Sequence, residues 1–125
     1  MPDKVYRTAI YCRLSREDGD KVESNSIASQ RAICEDYIAR HDDLELVCEP
    51  FVDDGYSGVS FNRPQFKKLE EAIRKGALDC IVVKDLSRFS RNYIDGGRYI
   101  EKIFPQLGIR FIAINDAYDS LTGDP

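Results

Sequence analysis

The feature that most constrains this chain is an alternation of short apolar runs with amphipathic stretches from one end to the other. Val5 to Cys12 (V-Y-R-T-A-I-Y-C) is dense in strand formers. After a polar stretch, Ile27, Cys34 and Ile38 fall on one stripe at helical spacing, with Ser26 or Asn25 as the cap and an end near Arg40. Leu44 to Val52 reads as a second strand, with Pro50 marking an edge or a bulge. Asn62 as cap, Pro64 at the first helical position and the face Phe66, Leu69, Ile73 predict a second helix that Gly76 stops. Cys80 to Val83 (C-I-V-V) is a continuous apolar run, the pattern of a central strand buried on both faces. A third helix starts near Asn92, with Ile100, Ile103, Phe104 and Leu107 on one face, and Ile109 to Ile114 is the fourth strand.

Strands that alternate with helices in this way pair in parallel. The expected fold is α/β, three layers, with a mostly parallel sheet and helices on both faces. At 125 residues the chain makes one domain, with core enough to fold without staples. The polar ending after the fourth strand suggests that the domain is the N-terminal part of a longer protein. No apolar run is long enough to span a membrane and the N-terminus carries no secretory signal, so a cytoplasmic protein is expected. The four cysteines have no metal-ligand spacing and read as reduced and mostly buried. The one histidine, His41, reads as a surface residue.

Charge narrows the function. Eighteen Lys and Arg against 22 Asp and Glu give −4, which disfavours a free-standing nucleic-acid binder but not a local anion site. Sites in open α/β sheets form beyond the carboxyl ends of the strands. Those ends carry Arg13, Ser15 and Arg16; Asp53, Asp54, Tyr56 and Ser57; Lys84, Asp85, Ser87, Arg88 and Arg91; Asn115 and Asp116. Arginines beside a serine suit phosphate chemistry, because a guanidinium binds phosphoryl oxygens bidentately and keeps its charge. Arg88 and Arg91, three apart, would share a face of one helical turn. Spacing alone leaves this reading and that of solvated surface arginines open. The Asp53-Asp54 pair reads as a turn in preference to a metal pair, and Glu17 to Glu23 as a mobile, solvated loop. Neither a hydrolase elbow nor a G-K-[ST] phosphate loop is present.

The strings Y-C-R-L-S, S-I-A-S-Q-R, D-D-G-Y-S-G, N-R-P-Q-F and K-D-L-S-R-F-S-R-N, in this order from about Val5 to Asp116, resemble the catalytic domain of the serine site-specific recombinases of the resolvase/invertase family. The last string and D-D-G-Y-S-G are most similar to the large serine recombinases. The resemblance implies that Ser15 is a nucleophile forming a 5′-phosphoserine link to DNA, with Arg13 beside it. It implies that Arg88 and Arg91 bind phosphate, and that Gln30, Arg63, Asp85 and Ser87 support the site. Ser87 stands where many small resolvases carry an aspartate, which leaves the proton-handling group unassigned. The resemblance further implies no metal or nucleotide cofactor, DNA as partner through the full-length protein, a homodimer and a synaptic homotetramer, and no membrane. Two other readings stay in view: a non-catalytic flavodoxin-like module binding an anion or a partner, and an arginine-rich phosphatase with a serine nucleophile.

Overall fold

The structure, a computed structural model, describes residues 4–15 and 26–122. The acidic stretch Glu17–Glu23, Arg16, the alternative cap Asn25 and the last three residues lie outside the described residues. Among the described residues six strands form the sheet: β1 (Tyr6–Leu14), β2 (Leu44–Leu46), β3 (Phe51–Asp54), β4 (Cys80–Val83), β5 (Arg110–Ala113) and β6 (Tyr118–Asp119). Their order is β2-β1-β4-β5-β6, and β3 pairs with β1 beyond the segment that β2 covers. Every pairing is parallel except β5 with β6. The helices are α1 (Ile27–Ala39), α2 (Pro64–Arg74), α3 (Leu86–Phe89), α4 (Tyr93–Arg98) and α5 (Phe104–Gln106); a π-helical turn, Tyr99–Ile103, joins the last two.

Two cores follow from the two-residue period of a strand. Ala9, Tyr11, Ile81, Val83, Phe111 and Ala113 point to one face, where Phe66, Leu69 and Ile73 of α2, Phe89 of α3 and Phe104 of α5 cover them. Ile10, Cys12, Cys80, Val82 and Ile112 point to the other, where Cys34 and Ile38 of α1 pack. Each large apolar side chain so buried contributes about 1.5–3 kcal/mol. The result is a three-layer α/β domain with helices on both faces. Among the described residues no helix is long and apolar enough to cross a membrane.

Several details differ from the sequence reading. The second strand is split: residues 47–50 leave the sheet, and Pro50, which has no N–H to give, lies in the gap between β2 and β3. Asp53 and Asp54 belong to β3, and the turn begins at Gly55, whose φ of +93° needs a glycine. Asn62 does not cap α2. Arg63 holds the cap position without a side-chain bond, and the Asp53 carboxylate instead accepts the N–H groups of Gln65 and Phe66, each at 2.9 Å. Leu107 is exposed and leaves the apolar face that Phe104 keeps. β6 was not anticipated; Asp119 in it holds Arg110 with two bonds, at 3.0 and 2.6 Å. His41 is half-buried, its ring stacked on Tyr37 at 4.0 Å. Ser26 caps α1 as expected, accepting the Ser29 N–H at 3.1 Å, and Cys12, Cys34 and Cys80 are buried while Cys48 is exposed. Desolvation pushes the Cys12 and Cys80 thiols up to about 12, so both are inert.

Candidate active site

The carboxyl ends of β1, β3 and β4 bring the sequence-predicted residues to one rim. Ser15 directly follows β1 and is 3% exposed. Gln30, fully buried on α1, fixes the strand exit just before it. Its Oε1 accepts the Arg13 N–H at 3.1 Å and its Nε2 donates to the Arg13 carbonyl at 3.0 Å. The side-chain amide thus serves Arg13 as a neighbouring strand would.

Three of the site arginines are not solvated, and Arg91 is the exception. Arg13, Arg63 and Arg88 are among the most deeply buried large side chains, at 0, 0 and 2% exposure. Arg13 donates from Nε to the Arg88 carbonyl (3.1 Å), from Nη1 to that of Tyr56 (2.9 Å) and from Nη2 to that of Ser87 (2.6 Å). One guanidinium therefore ties β1 to the loop after β3 and to α3. Arg63 works likewise: it donates to the carbonyls of Ser60 (2.8 Å), Phe89 (2.7 Å) and Gly58 (3.3 Å), and to the Tyr11 hydroxyl (3.3 Å). Its plane lies 4.6 Å from the Phe61 ring centroid. In this arrangement Arg63 is a bracket inside the loops.

Arg88 reaches across from α3, and its Nη1 donates to the Arg13 carbonyl at 3.0 Å, two residues before Ser15. Its Nη2 donates to Ser87 Oγ at 3.3 Å, and Ser87 Oγ donates to Asp85 Oδ1 at 2.6 Å. Asp85 is also the N-cap of α3, accepting the Arg88 N–H at 3.2 Å. Arg88 and Arg91 do not share a helical turn. α3 ends at Phe89, Ser90 is extended, and Arg91 is exposed, with its N–H on the Gly58 carbonyl at 2.7 Å.

Three residues that the sequence reading left out of the site belong to its frame. Tyr11 donates its hydroxyl to Asp53 Oδ2 at 2.8 Å while accepting from Arg63, a buried chain in which desolvation pushes the phenol well above its usual range. Asp53 joins that chain to the start of α2. Gly58 sits under the arginines: a Cβ there would lie 2.7 Å from Arg13 Nη2 and 2.9 Å from Arg91 Cγ. The only sequence signal for Gly58 is its place in D-D-G-Y-S-G. Among the described residues no group of three His, Cys, Asp or Glu could hold a metal ion.

The family described as "Resolvase, N terminal domain" matches residues 8–124. The chain belongs to this family. It is 31% identical over 87 residues to the "Putative DNA recombinase" of Bacillus subtilis (strain 168), a match that spans 70% of this chain and 16% of that protein. The fold superposes on the N-terminal catalytic domain of TP901-1 integrase with a TM-score of 0.81 and 27% identity, covering 94% of this chain and 83% of that one. A resolvase family site-specific recombinase from Streptococcus pneumoniae gives 0.74 and 28%, covering 97% and 78%. The resolvase family, the α/β three-layer fold and the resemblance of the sequence motifs thus agree.

Proposed function

We propose that this domain is the catalytic part of a longer serine recombinase that cleaves and rejoins DNA through a 5′-phosphoserine at Ser15. The observation that carries the reading is the buried Arg88 guanidinium, held against the strand exit that delivers Ser15. The Ser15 hydroxyl attacks the phosphodiester, the 3′ oxygen leaves, and the link conserves the bond energy for rejoining. Arg88 and Arg91 stabilise the charge that develops on the phosphoryl oxygens, Arg91 from the exposed side of the rim. Arg13, with three carbonyls on its guanidinium, positions α3 and the loop after β3, and its fixed charge favours the serine alkoxide. Gln30 sets the strand exit, and Arg63 holds the loops. The charge stabilisation comes from the arginines, and the scheme calls for no metal or nucleotide.

With a net charge of −4, affinity for DNA belongs to other parts of the longer protein, which acts as a dimer that pairs two DNA sites in a tetramer. The test is Ser15→Ala in the full-length protein. Folding is kept and the denaturant-resistant protein–DNA adduct disappears. An adduct that persists in the alanine variant assigns the nucleophile elsewhere.

A further inference from the structure

Cleavage of a phosphodiester by a serine poses two proton-transfer tasks. The hydroxyl must lose a proton and the departing 3′ oxygen must gain one; rejoining reverses both. A group that takes the proton in one step and returns it in the next completes the cycle without a co-reactant. Histidine does not supply it. The one histidine in the chain lies between α1 and β2, with Nδ1 2.6 Å from the Tyr37 carbonyl. That is the amino end of the parallel strands, away from Ser15.

The strand beside β1 offers another group. β1 and β4 pair as Thr8↔Cys80, Ala9↔Ile81 and Ile10↔Val82. The bonds from Arg13 Nη2 to the Ser87 carbonyl and from Arg88 Nη1 to the Arg13 carbonyl keep the two chains together beyond the sheet. Here the Ser87 hydroxyl sits between a guanidinium and a carboxylate. It accepts from Arg88 at 3.3 Å and donates to Asp85 at 2.6 Å, a short charge-assisted bond. Arg88 Nε faces the same carboxylate oxygen at 3.8 Å, with the arginine side chain 2% exposed and the aspartate 21%. Asp116, after β5, holds the N–H of Leu86 beside them.

We propose that Ser87 and Asp85 form the proton relay of the Ser15 reaction, a reading that rests on Ser15 being the nucleophile. In cleavage the Ser15 Oγ–P bond forms and the P–O3′ bond breaks, its electron pair staying on O3′. The Ser15 proton passes through the Ser87 hydroxyl to the Asp85 carboxylate and returns through Ser87 to O3′. Rejoining runs the same steps backwards, so proton count and charge close over the cycle.

A purely structural role for Asp85 is the N-cap of α3. Asparagine caps as well as aspartate does, so Asp85→Asn keeps the cap and removes the proton acceptor. The experiment uses the full-length protein and two duplexes of the crossover sequence at which the wild type forms its adduct. One is ordinary DNA. In the other, sulfur replaces the 3′ bridging oxygen, and the departing thiolate is a weak base that needs no proton. Asp85→Asn and Ser87→Ala each slow cleavage of ordinary DNA about 10²–10³-fold. On the sulfur-bridged duplex the loss, relative to wild type, is at least about tenfold smaller, because the donation half of the relay is bypassed. An equal loss on both duplexes, or no loss on ordinary DNA, overturns the relay. A wild-type protein that forms no Ser15-dependent adduct on either duplex overturns the Ser15 reading itself.

Discussion

Replacing Gly58 by alanine puts a methyl group against the side chains of Arg13 and Arg91. The new Cβ would lie 2.7 Å from Arg13 Nη2, 2.9 Å from Arg91 Cγ and 3.0 Å from Arg13 Cζ. Neither side can yield cheaply. The Arg13 guanidinium is pinned by carbonyls at 2.6, 2.9 and 3.1 Å, and the Gly58 carbonyl is held by the Arg91 N–H at 2.7 Å and Arg63 at 3.3 Å. Overpacking costs about 1–3 kcal/mol, and one broken hydrogen bond to a charged group about 1.5–3 kcal/mol. We expect Gly58→Ala to destabilise the protein by about 3–4 kcal/mol, a fall in Tm of roughly 10–15 °C for a domain of this size. Gly55→Ala is the internal control. Gly55 has φ +93° and nothing within 4 Å of its would-be Cβ. It should therefore lose only the backbone strain of about 1–2 kcal/mol and leave adduct formation intact. Thermal unfolding followed by circular dichroism, with an adduct assay at a temperature where both variants are folded, measures both effects. A Gly58→Ala protein no less stable than Gly55→Ala, and as active, would refute the packing argument.

Arg88→Lys keeps the charge but loses the fork that spans the Arg13 carbonyl and Ser87 Oγ, so cleavage should slow by about 2–4 kcal/mol of transition-state stabilisation, read from single-turnover rates. Asp53→Ala removes the acceptor of the Tyr11 hydroxyl and of two α2 N–H groups, and should cost about 2–4 kcal/mol in urea unfolding, with or without magnesium. Asp79, held by Arg7, has its carboxyl lowered to about 2. Its stabilising effect is thus present above the ordinary aspartate value and lost as pH falls toward 2. The Tm gap between wild type and Asp79→Asn should narrow between about pH 4 and pH 2.

Local signals were legible in the sequence, and contacts made over distance were not. The run Cys80–Val83 announced the central strand because burial on both faces needs apolar residues at every position. Pro64 and Gly76 bounded α2 through their own backbone preferences. The cap of α2 was misread because it comes from Asp53, on another element, and no local pattern encodes that bond. β6 is two residues long and is held by the Asp119–Arg110 pair, too short for any periodicity. The rim was found by following the strand ends, and the motif order named the family. What the sequence could not show is that Arg13 and Arg63 turn inward: arginine is usually a surface residue, and only the carbonyls of the loop 56–60 and of α3, assembled by the fold, reverse that preference.

The central claim is that Ser15 becomes covalently joined to the 5′ end of cleaved DNA. The direct measurement is to trap the adduct formed by the full-length protein, trim the DNA with nuclease, digest with protease and locate the nucleotide remnant by tandem mass spectrometry. The account predicts a remnant linked through its 5′ phosphate to the peptide carrying Ser15, matched by a free 3′ hydroxyl on the other strand end. A remnant on any other residue, or cleaved DNA that bears a free 5′ phosphate and no protein, would contradict it.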